Sequence, residues 1–171
     1  MSITLKKAQS VRDCEMIANI AYEIWMQHYE NIITEDQIKY MLNKYQSASA
    51  IYEAIRKDHD YYMAFDKKDL VGYCGIQYEK DAVFLSKIYI EKHHRGKGIG
   101  RLFFDKVIKK AADKNAQYIW LTVNRNNEDS VAVYKKLGFY IDREEVDQIG
   151  DGFVKDDYIM KYDMRQNVYA G

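Results

Sequence analysis

The fold is decided by the stretch Leu85–Phe103, which reads LSKIYIEKHHRGKGIGRLF. An apolar strand runs into a short basic loop that holds Gly96, Gly98 and Gly100, and a helical pattern begins directly afterwards. Glycine permits positive φ and close backbone approach, so successive amide N–H groups can turn toward one anion, helped by the positive end of the new helix. The stretch therefore predicts a loop that cradles a pyrophosphate.

The charges and the glycine order of this loop narrow the anion. Arg95, Lys97 and Arg101 surround the glycines, and arginine in particular suits bidentate contacts with phosphate. A Walker loop ends on Gly, Lys and then Ser or Thr, whereas Gly100 is followed here by Arg101. The dinucleotide pattern G-x-G-x-x-G is not met either, so a different nucleotide-bearing cofactor is favoured. A glycine-rich turn that merely joins a strand to a helix remains the structural alternative.

Hydrophobic periodicity extends outward from this loop in both directions. The predicted strands are Ile3–Ala8, Tyr61–Asp66, Leu70–Tyr78, Ala82–Ile90, Tyr118–Asn124, Phe139–Ile149 and Phe153–Met164. Three helices are predicted before the meandering strands: Val11–Tyr29, which begins at a capping box of Ser10 and Asp13, a second helix capped by Thr34 with Gln37, and a third that runs from Ser47 or Ser49 to Asp58. Two more are predicted later in the chain, Gly98–Asn115 and Asn127–Leu137, and Gly138 ends the last one. Repeats, low-complexity linkers and proline are all lacking, so residues 1–171 are expected to form one domain.

Composition limits the class of protein. Lys and Arg number 26 and Asp and Glu number 26, so no net field draws the chain to nucleic acid or to an anionic membrane. Cys14 and Cys74 show no metal-like spacing, and neither a signal peptide nor a bilayer-spanning run of about 20 apolar residues is visible. We expect a soluble, reduced, cytoplasmic protein without a metal, whose partner is a small molecule.

Two segments together resemble the GNAT superfamily of acyl-CoA N-acyltransferases. The first is the glycine loop, where Arg95, Gly98 and Gly100 match the signature R-x-x-G-x-G after the strand KIYI. The second is WLTVNRNNEDSVAVYKKLGF, in which the matching positions are Asn127, Ala132, Tyr134, Gly138 and Phe139. The resemblance extends over about the whole length of the chain and implies an α/β (α+β) fold of the GNAT type, with a mixed central sheet of about seven strands splayed at the cofactor cleft and about four to five flanking helices.

The resemblance also implies acetyl-CoA as co-substrate and a set of residues that hold it. The backbone of the strand before the loop would pair with the pantetheine arm, the loop would bind the pyrophosphate, and Asn127 would hydrogen-bond the arm. The expected cofactor-binding residues are Ile88, Tyr89, Ile90, Arg95, Gly96, Lys97, Gly98, Ile99, Gly100, Arg101, Asn127 and Tyr134. The amide of Ile90, or one beside it, would polarise the thioester carbonyl.

Catalysis requires a proton to leave the amine and another to reach the departing thiolate. By resemblance, Tyr134 is the general acid, although its place on an apolar helical stripe also fits simple core packing. The strand before the loop offers Ser86 and Lys87 where many relatives place a carboxylate base. A water chain to backbone carbonyls or a side chain of the first helices could remove the proton instead, and among those side chains we favour Glu30 and His28.

The acceptor site is expected at the end of the first helix. Trp25, His28, Tyr29 and Glu30 are expected to bind the acceptor, although Trp25 can also be a core residue and His28 a surface one. His93 and His94 are expected to be solvated or to face phosphate.

The favoured function is transfer of an acetyl group from acetyl-CoA to a primary amine of a small molecule. Residues 25–42 resemble those of bacterial spermidine/spermine N-acetyltransferase-like proteins, which points to a polyamine. Acetylation of a protein N-terminus or lysine is one alternative, and a non-catalytic acyl-CoA-binding regulatory module is another. A homodimer through the tyrosine-rich final hairpin is a further option.

Overall fold

The computed structural model of the protein describes residues 2–165, apart from the side chains of His28 and Tyr45. Its helices are α1 (Val11–Tyr29), α2 (Glu35–Tyr45), α3 (Ala48–Lys57), α4 (Ile99–Asp113) and α5 (Glu128–Leu137), with a short 3₁₀ helix at Lys92–His94. Its strands are β1 (Ile3–Lys7), β2 (His59–Asp66), β3 (Asp69–Tyr78), β4 (Ala82–Ile90), β5 (Tyr118–Asn124), β6 (Tyr140–Gly150) and β7 (Phe153–Asp163). The order of elements agrees with the order predicted from the sequence.

Side-chain caps fix where the early helices begin. The Asp13 amide donates to the Ser10 hydroxyl over 3.1 Å, and the Asp13 carboxylate accepts from the Ser10 amide over 3.2 Å, which completes the predicted capping box. Thr34 caps α2 through the Gln37 amide. Ser47, rather than Ser49, caps α3, so that alternative is now decided.

Some predicted ends move by a few residues. Gly98 was predicted as the first helical residue, but its φ of 86° is left-handed and makes it the N-cap of α4 instead. That helix ends at Asp113 rather than Asn115, because Asn115 itself has a positive φ. Strand β2 begins at His59, two residues earlier than predicted, because its pairing with β3 already starts there.

The sheet has seven strands in the order β1-β2-β3-β4-β5-β7-β6. Strands β1 to β4 form an antiparallel meander, and β5, β7 and β6 form a second antiparallel group. The two groups meet where β4 and β5 run parallel, and this contact is limited to Ala82–Phe84 paired with Tyr118–Trp120. Beyond those pairs the strands separate, as predicted, although β4 continues to Ile90 and β5 to Asn124.

The two faces of the sheet bury separate cores. One core lies under α4 and α5, and the other lies under α1, α2 and α3. A register shift between Gly75 and Ile76 leaves Ser86 of β4 as an extra residue opposite β3, which is a β-bulge. Leu85 faces the α4 and α5 core before the bulge and Ile88 faces it afterwards, so the bulge turns Lys87 toward α1.

Candidate active site

The glycine loop, Arg95–Arg101, has a backbone that leaves room for a ligand. Gly96 has a φ of 75° and Gly98 a φ of 86°, a region that residues with a side chain rarely adopt. A Cβ built on either glycine would meet no atom within 4 Å. Their positive φ accounts for these glycines, and the open space beside them leaves room for a phosphate.

The amides of this loop are free to donate to a ligand. Among the described residues, none of the N–H groups from Gly96 to Arg101 donates to another backbone group or to a side chain. The first intrahelical bond of α4 is the one from the Leu102 amide to the Gly98 carbonyl, over 3.2 Å. Several N–H groups at the positive end of a helix thus share one open space, which is the arrangement that binds phosphate.

The basic side chains of the loop have different roles. The Arg95 Nε donates to the Ile90 carbonyl over 3.1 Å and ties the loop back to the end of β4. Arg101 is largely exposed and forms an ion pair with Asp105 over 3.2 Å. Ile99 is a buried core residue, so only its amide can take part in binding. Arg95 therefore shapes the loop, and Arg101 has a guanidinium that solvent or a phosphate can reach.

The opening between β4 and β5 leads from the loop into the sheet. Past Phe84 the β5-facing side of β4 lacks a strand partner within the described chain. Asn127 is buried at the start of α5, and its Oδ1 accepts from the Ser130 amide over 3.2 Å. Asn127 is thus a helix cap, and the contact with a pantetheine arm stays a prediction.

Tyr134 lies on α5, half-buried against the core under α4 and α5. Its ring meets Phe139 edge-on with centroids 5.7 Å apart, so the packing alternative is part of its role. Burial, and then the nearby Tyr29 and Cys74, raise the pKa of Tyr134 well above its usual value. Since Tyr29 belongs to α1 on the other face of the sheet, the Tyr134 hydroxyl is close enough to the opening to interact with both sides. It stays protonated at neutral pH and is able to donate a proton.

A cavity of about 220 Å³ lies on the α1 and α2 face of the same opening. We call it the aromatic cavity because its walls include Trp25, Tyr29, Phe84 and Tyr89. The Trp25 Nε1 donates to the Tyr73 hydroxyl over 3.2 Å, and the hydroxyls of Tyr29 and Tyr89 share a hydrogen bond of 3.1 Å. These bonds fix the rings, so the cavity is formed before any ligand enters.

Charged groups complete the cavity wall on the strand side. The Lys155 Nζ donates to the Thr122 hydroxyl over 3.0 Å and pairs with Asp157 over 3.0 Å. Asp157 is only 5% exposed, and burial raises the pKa of its carboxyl despite the neighbouring Lys155. Lys87 lines the cavity from β4, and burial together with the repulsion of Lys155 lowers its pKa to about 7.

The acceptor-side predictions have mixed outcomes. Trp25 and Tyr29 do line the cavity. Glu30 is exposed at the C-cap of α1 and does not line it, and the His28 side chain lies outside the described residues, so both roles stay predictions. The expectation that His94 is solvated or faces phosphate is wrong, because its ring nitrogens contact the carboxylates of Glu91 and Asp66 over 2.8 and 3.3 Å.

Sequence reasoning did not assign Lys87, Thr122, Lys155 or Asp157 to this site. A usable signal existed in β7, where Lys155 and Asp157 alternate with the apolar Ile159 on one face of a strand. Charges at the alternating positions of a buried face indicate a lined cavity. No comparable signal exists for Lys87, because the bulge that reorients it leaves no sequence pattern.

Within residues 2–165, no helix is both long enough and apolar enough to cross a bilayer. The same range contains no group of three or more His, Cys, Asp or Glu side chains arranged to hold a metal ion. Cys14 and Cys74 are buried and are not joined in a disulfide.

Comparison with known proteins identifies the family. The model of the acetyltransferase (GNAT) family matches residues 18–139. A probable spermine N(1)-acetyltransferase from Bacillus subtilis subsp. natto is 26% identical over 123 residues, which are 66% of this chain and 78% of that protein. Streptothricin acetyltransferase from Streptomyces lavendulae is 30% identical over 73 residues, which are 42% of this chain and only 39% of that protein.

A solved structure shows the same fold over nearly the whole chain. PaiA N-acetyltransferase from Thermoplasma acidophilum, crystallised in complex with coenzyme A, superposes with a TM-score of 0.81 at 24% identity, covering 95% of this chain and 99% of that one. The chain belongs to the acetyltransferase (GNAT) family, and the predicted family and fold class are confirmed. At the level of the family this also confirms an N-acetyltransferase class of enzyme with acetyl-CoA as co-substrate. The open glycine loop and the unpaired edge of β4 fit the diphosphate and the extended arm of coenzyme A.

Proposed function

We propose that this protein transfers an acetyl group from acetyl-CoA to a primary amine of a small molecule. The observation that carries the proposal is the opening between β4 and β5, which has the glycine loop at one end and the aromatic cavity on one face. The two reactants of a direct transfer would meet in that opening. Acetyl-CoA supplies the activated acyl group as a thioester.

Binding of the co-substrate would be mostly the work of the main chain. The amides of Gly96 to Arg101 are placed to donate to a diphosphate, and the unpaired edge at Ile88 to Ile90 is placed to pair with an extended arm as an added strand does. The Ile90 amide would polarise the thioester carbonyl. Lys97 and Arg101 add positive charge at the rim of the loop.

Proton transfer would involve one donor and one acceptor. Tyr134 would donate to the departing thiolate, and its raised pKa keeps the hydroxyl protonated until then. Within the described side chains, Asp157 is the one carboxylate that lines the cavity, which supports it as the group that holds the incoming ammonium and takes its proton. Glu30 and His28, the residues first predicted for that role, remain candidates for a water-mediated route.

The acceptor is proposed to be a small molecule rather than a protein. The cavity of about 220 Å³ is bordered by α1 and α2. A volume of this size can hold a small molecule but not an extended peptide. Spermine in the name of the Bacillus relative supports a polyamine as one candidate acceptor. A protein N-terminus or lysine stays the alternative that a peptide panel would detect.

Replacing Tyr134 by Phe tests the proposal. We expect turnover, measured as thiol release from acetyl-CoA with a panel of amines, to fall by about 100-fold or more, since general acids contribute on the order of 10²–10⁴. Affinity for coenzyme A, measured by calorimetry, should change little. Tyr140→Phe is the matched control, since Tyr140 is exposed on β6 far from the opening.

Two outcomes would count against parts of this proposal. Undiminished turnover in Tyr134→Phe would remove the proposed general acid. Coenzyme A binding by the wild-type chain with no turnover of any amine would favour the non-catalytic acyl-CoA-binding module instead.

Assembly and compartment are also proposals. The final hairpin exposes Tyr140, Ile141, Val146 and Val154, and such a surface supports the homodimer expected from the sequence. Two buried cysteines without a disulfide support the reduced cytoplasm as the compartment. Light scattering of the purified chain would give the mass that decides between monomer and dimer.

A further inference from the structure

The charges around the aromatic cavity do not balance. Two lysines, Lys87 and Lys155, and one carboxylate, Asp157, line it. Lys155 is already engaged by Asp157 and by the Thr122 hydroxyl. Lys87 is left, and within residues 2–165 its Nζ has neither a hydrogen-bond nor an ion-pair partner.

The position of Lys87 is enforced by the fold. The bulge at Ser86 turns it away from the α4 and α5 core, and the Ser86 hydroxyl donates to the Gly75 carbonyl over 3.0 Å, which holds the bulge in place. Tyr89 and Phe84 flank it on the same wall. The Lys87 side chain is half-buried and lines the cavity.

An unpaired cation on a largely apolar wall favours an anionic ligand. A charged group removed from water is costly unless a counter-charge meets it, and the depressed pKa of Lys87 reflects that cost in the free protein. A ligand carboxylate would restore the balance with a charge-assisted hydrogen bond. A polyamine has no such group, and its ammonium groups would face the positive charges of Lys87 and Lys155.

We propose that the acceptor carries a carboxylate as well as its primary amine, as an amino acid or short peptide does, and that Lys87 binds that carboxylate. Asp157 would hold the amine end of the same molecule. This inference rests on the proposed function, because it names the class of acceptor for the same reaction. Lys87 is then a specificity-determining residue.

Paired acceptors test the inference. Wild type and Lys87→Met are assayed for thiol release from acetyl-CoA with a set of amino acids, with the corresponding amino acid amides, and with spermidine. We expect the wild type to prefer each carboxylate over its amide by about 10-fold or more in kcat/KM, the size of a charge-assisted hydrogen bond. Lys87→Met should lose that preference, which brings the kcat/KM of each acid close to that of its amide.

The controls separate folding, charge and chemistry. Lys161→Met removes a lysine from β7 that lies over the Tyr118 ring, outside the cavity, and should keep the preference. Lys87→Met should fold, since it exchanges a buried cation for an apolar chain of similar size. Calorimetry with the coenzyme A complex measures the binding affinity of each acid and its amide. The preference can therefore be measured even where turnover is slow.

Each failure points to a different proposal. Efficient turnover of spermidine with no preference for acids over amides would overturn the carboxylate site and leave the proposed acetyltransferase intact. An equal loss for acids and amides in Lys87→Met would also overturn it and would make Lys87 a general catalytic group. Equal binding of acid and amide to the complex would overturn it without reference to activity, whereas absence of turnover with every amine would count against the proposed function.

Discussion

The glycine loop is one continuous segment, Arg95–Arg101, whereas the aromatic cavity takes side chains from α1, α2, β4, β5 and β7. The loop works through main-chain N–H groups, so its requirement on the sequence is glycine at fixed spacing. The cavity would work through side-chain charges, and those charges come from two strands that are distant in sequence, Lys87 from β4 and Lys155 and Asp157 from β7. One part of a site can therefore be predicted from the sequence when a neighbouring part cannot.

The same contrast distinguishes binding of the co-substrate from selection of the acceptor. A backbone cradle binds any ligand with the same diphosphate, so it indicates the co-substrate and gives no information about the acceptor. On our proposal, the arrangement of Lys87, Lys155 and Asp157 would decide which amine fits. Substitutions in the two regions should accordingly affect different measurements.

The largest expected effect comes from Gly98→Val in the loop. Valine is strained at a φ of 86°, and its side chain would fill the space left for the phosphate. We expect coenzyme A affinity, measured by calorimetry, to fall about 100-fold, as for the loss of one or two charge-assisted bonds.

Gly152→Val is the matched control for that change. Gly152 has a φ of 78°, and a Cβ there also meets nothing within 4 Å, but it lies in the turn between β6 and β7. Both variants should lose about 1–2 kcal/mol of stability from backbone strain. Equal coenzyme A affinity in the two variants would contradict a loop that binds through its backbone.

An effect of intermediate size is expected in the pH dependence of the free energy of unfolding, and its source is Lys87 in the aromatic cavity. The pKa of Lys87 is about 7 in the folded chain against 10.5 as the reference, so the unfolded chain binds more protons between those values. Stability from this group therefore rises as the pH increases through that window, by up to about 1.4 kcal/mol per pH unit, and is flat below it.

Urea unfolding of wild type and Lys87→Met from about pH 6 to pH 9 isolates this contribution. The variant should be the more stable protein at about pH 6, and its advantage should shrink as the pH increases. An advantage that does not change with pH would show that Lys87 is not buried as a cation.

The smallest effect is expected from Ser10→Ala, outside both regions. Loss of the N-cap should cost about 1 kcal/mol in the free energy of unfolding. The acceptor KM and coenzyme A affinity should not change, because Trp25 and Tyr29 lie at the other end of α1. Ser49→Ala is the control, since Ser49 is exposed and does not cap α3. A change in the acceptor KM or in coenzyme A affinity caused by Ser10→Ala would contradict this prediction and show that the stability of α1 affects the site.

Most of the fold could be predicted because its signals are local. The Ser10 and Asp13 box, the Gly138 helix end and the alternation in β5 each act within a few residues, and each element formed where expected. The cofactor side followed from the same kind of signal. Its failures were small, as with Gly98, where a helical pattern concealed a left-handed cap.

The acceptor side could not be predicted in the same way. Simple alternation along β4 places Lys87 on the face of Leu85, and only the bulge at Ser86 reverses it. Asp157 reaches the cavity because β7 inserts between β5 and β6, a long-range pairing that the charges at alternating positions of β7 do not reveal. Glu30 was predicted from its place in the chain, yet the C-cap of α1 leaves it exposed.

The gap between β4 and β5 gives the molecule two entrances. The glycine loop leads into the core face covered by α4 and α5, and the cavity lies on the face of α1 and α2. An acyl donor and an amine that come from opposite sides need not displace each other, so both can be bound at once. We expect a ternary complex, with lines that intersect in initial-rate plots rather than the parallel lines of a ping-pong cycle.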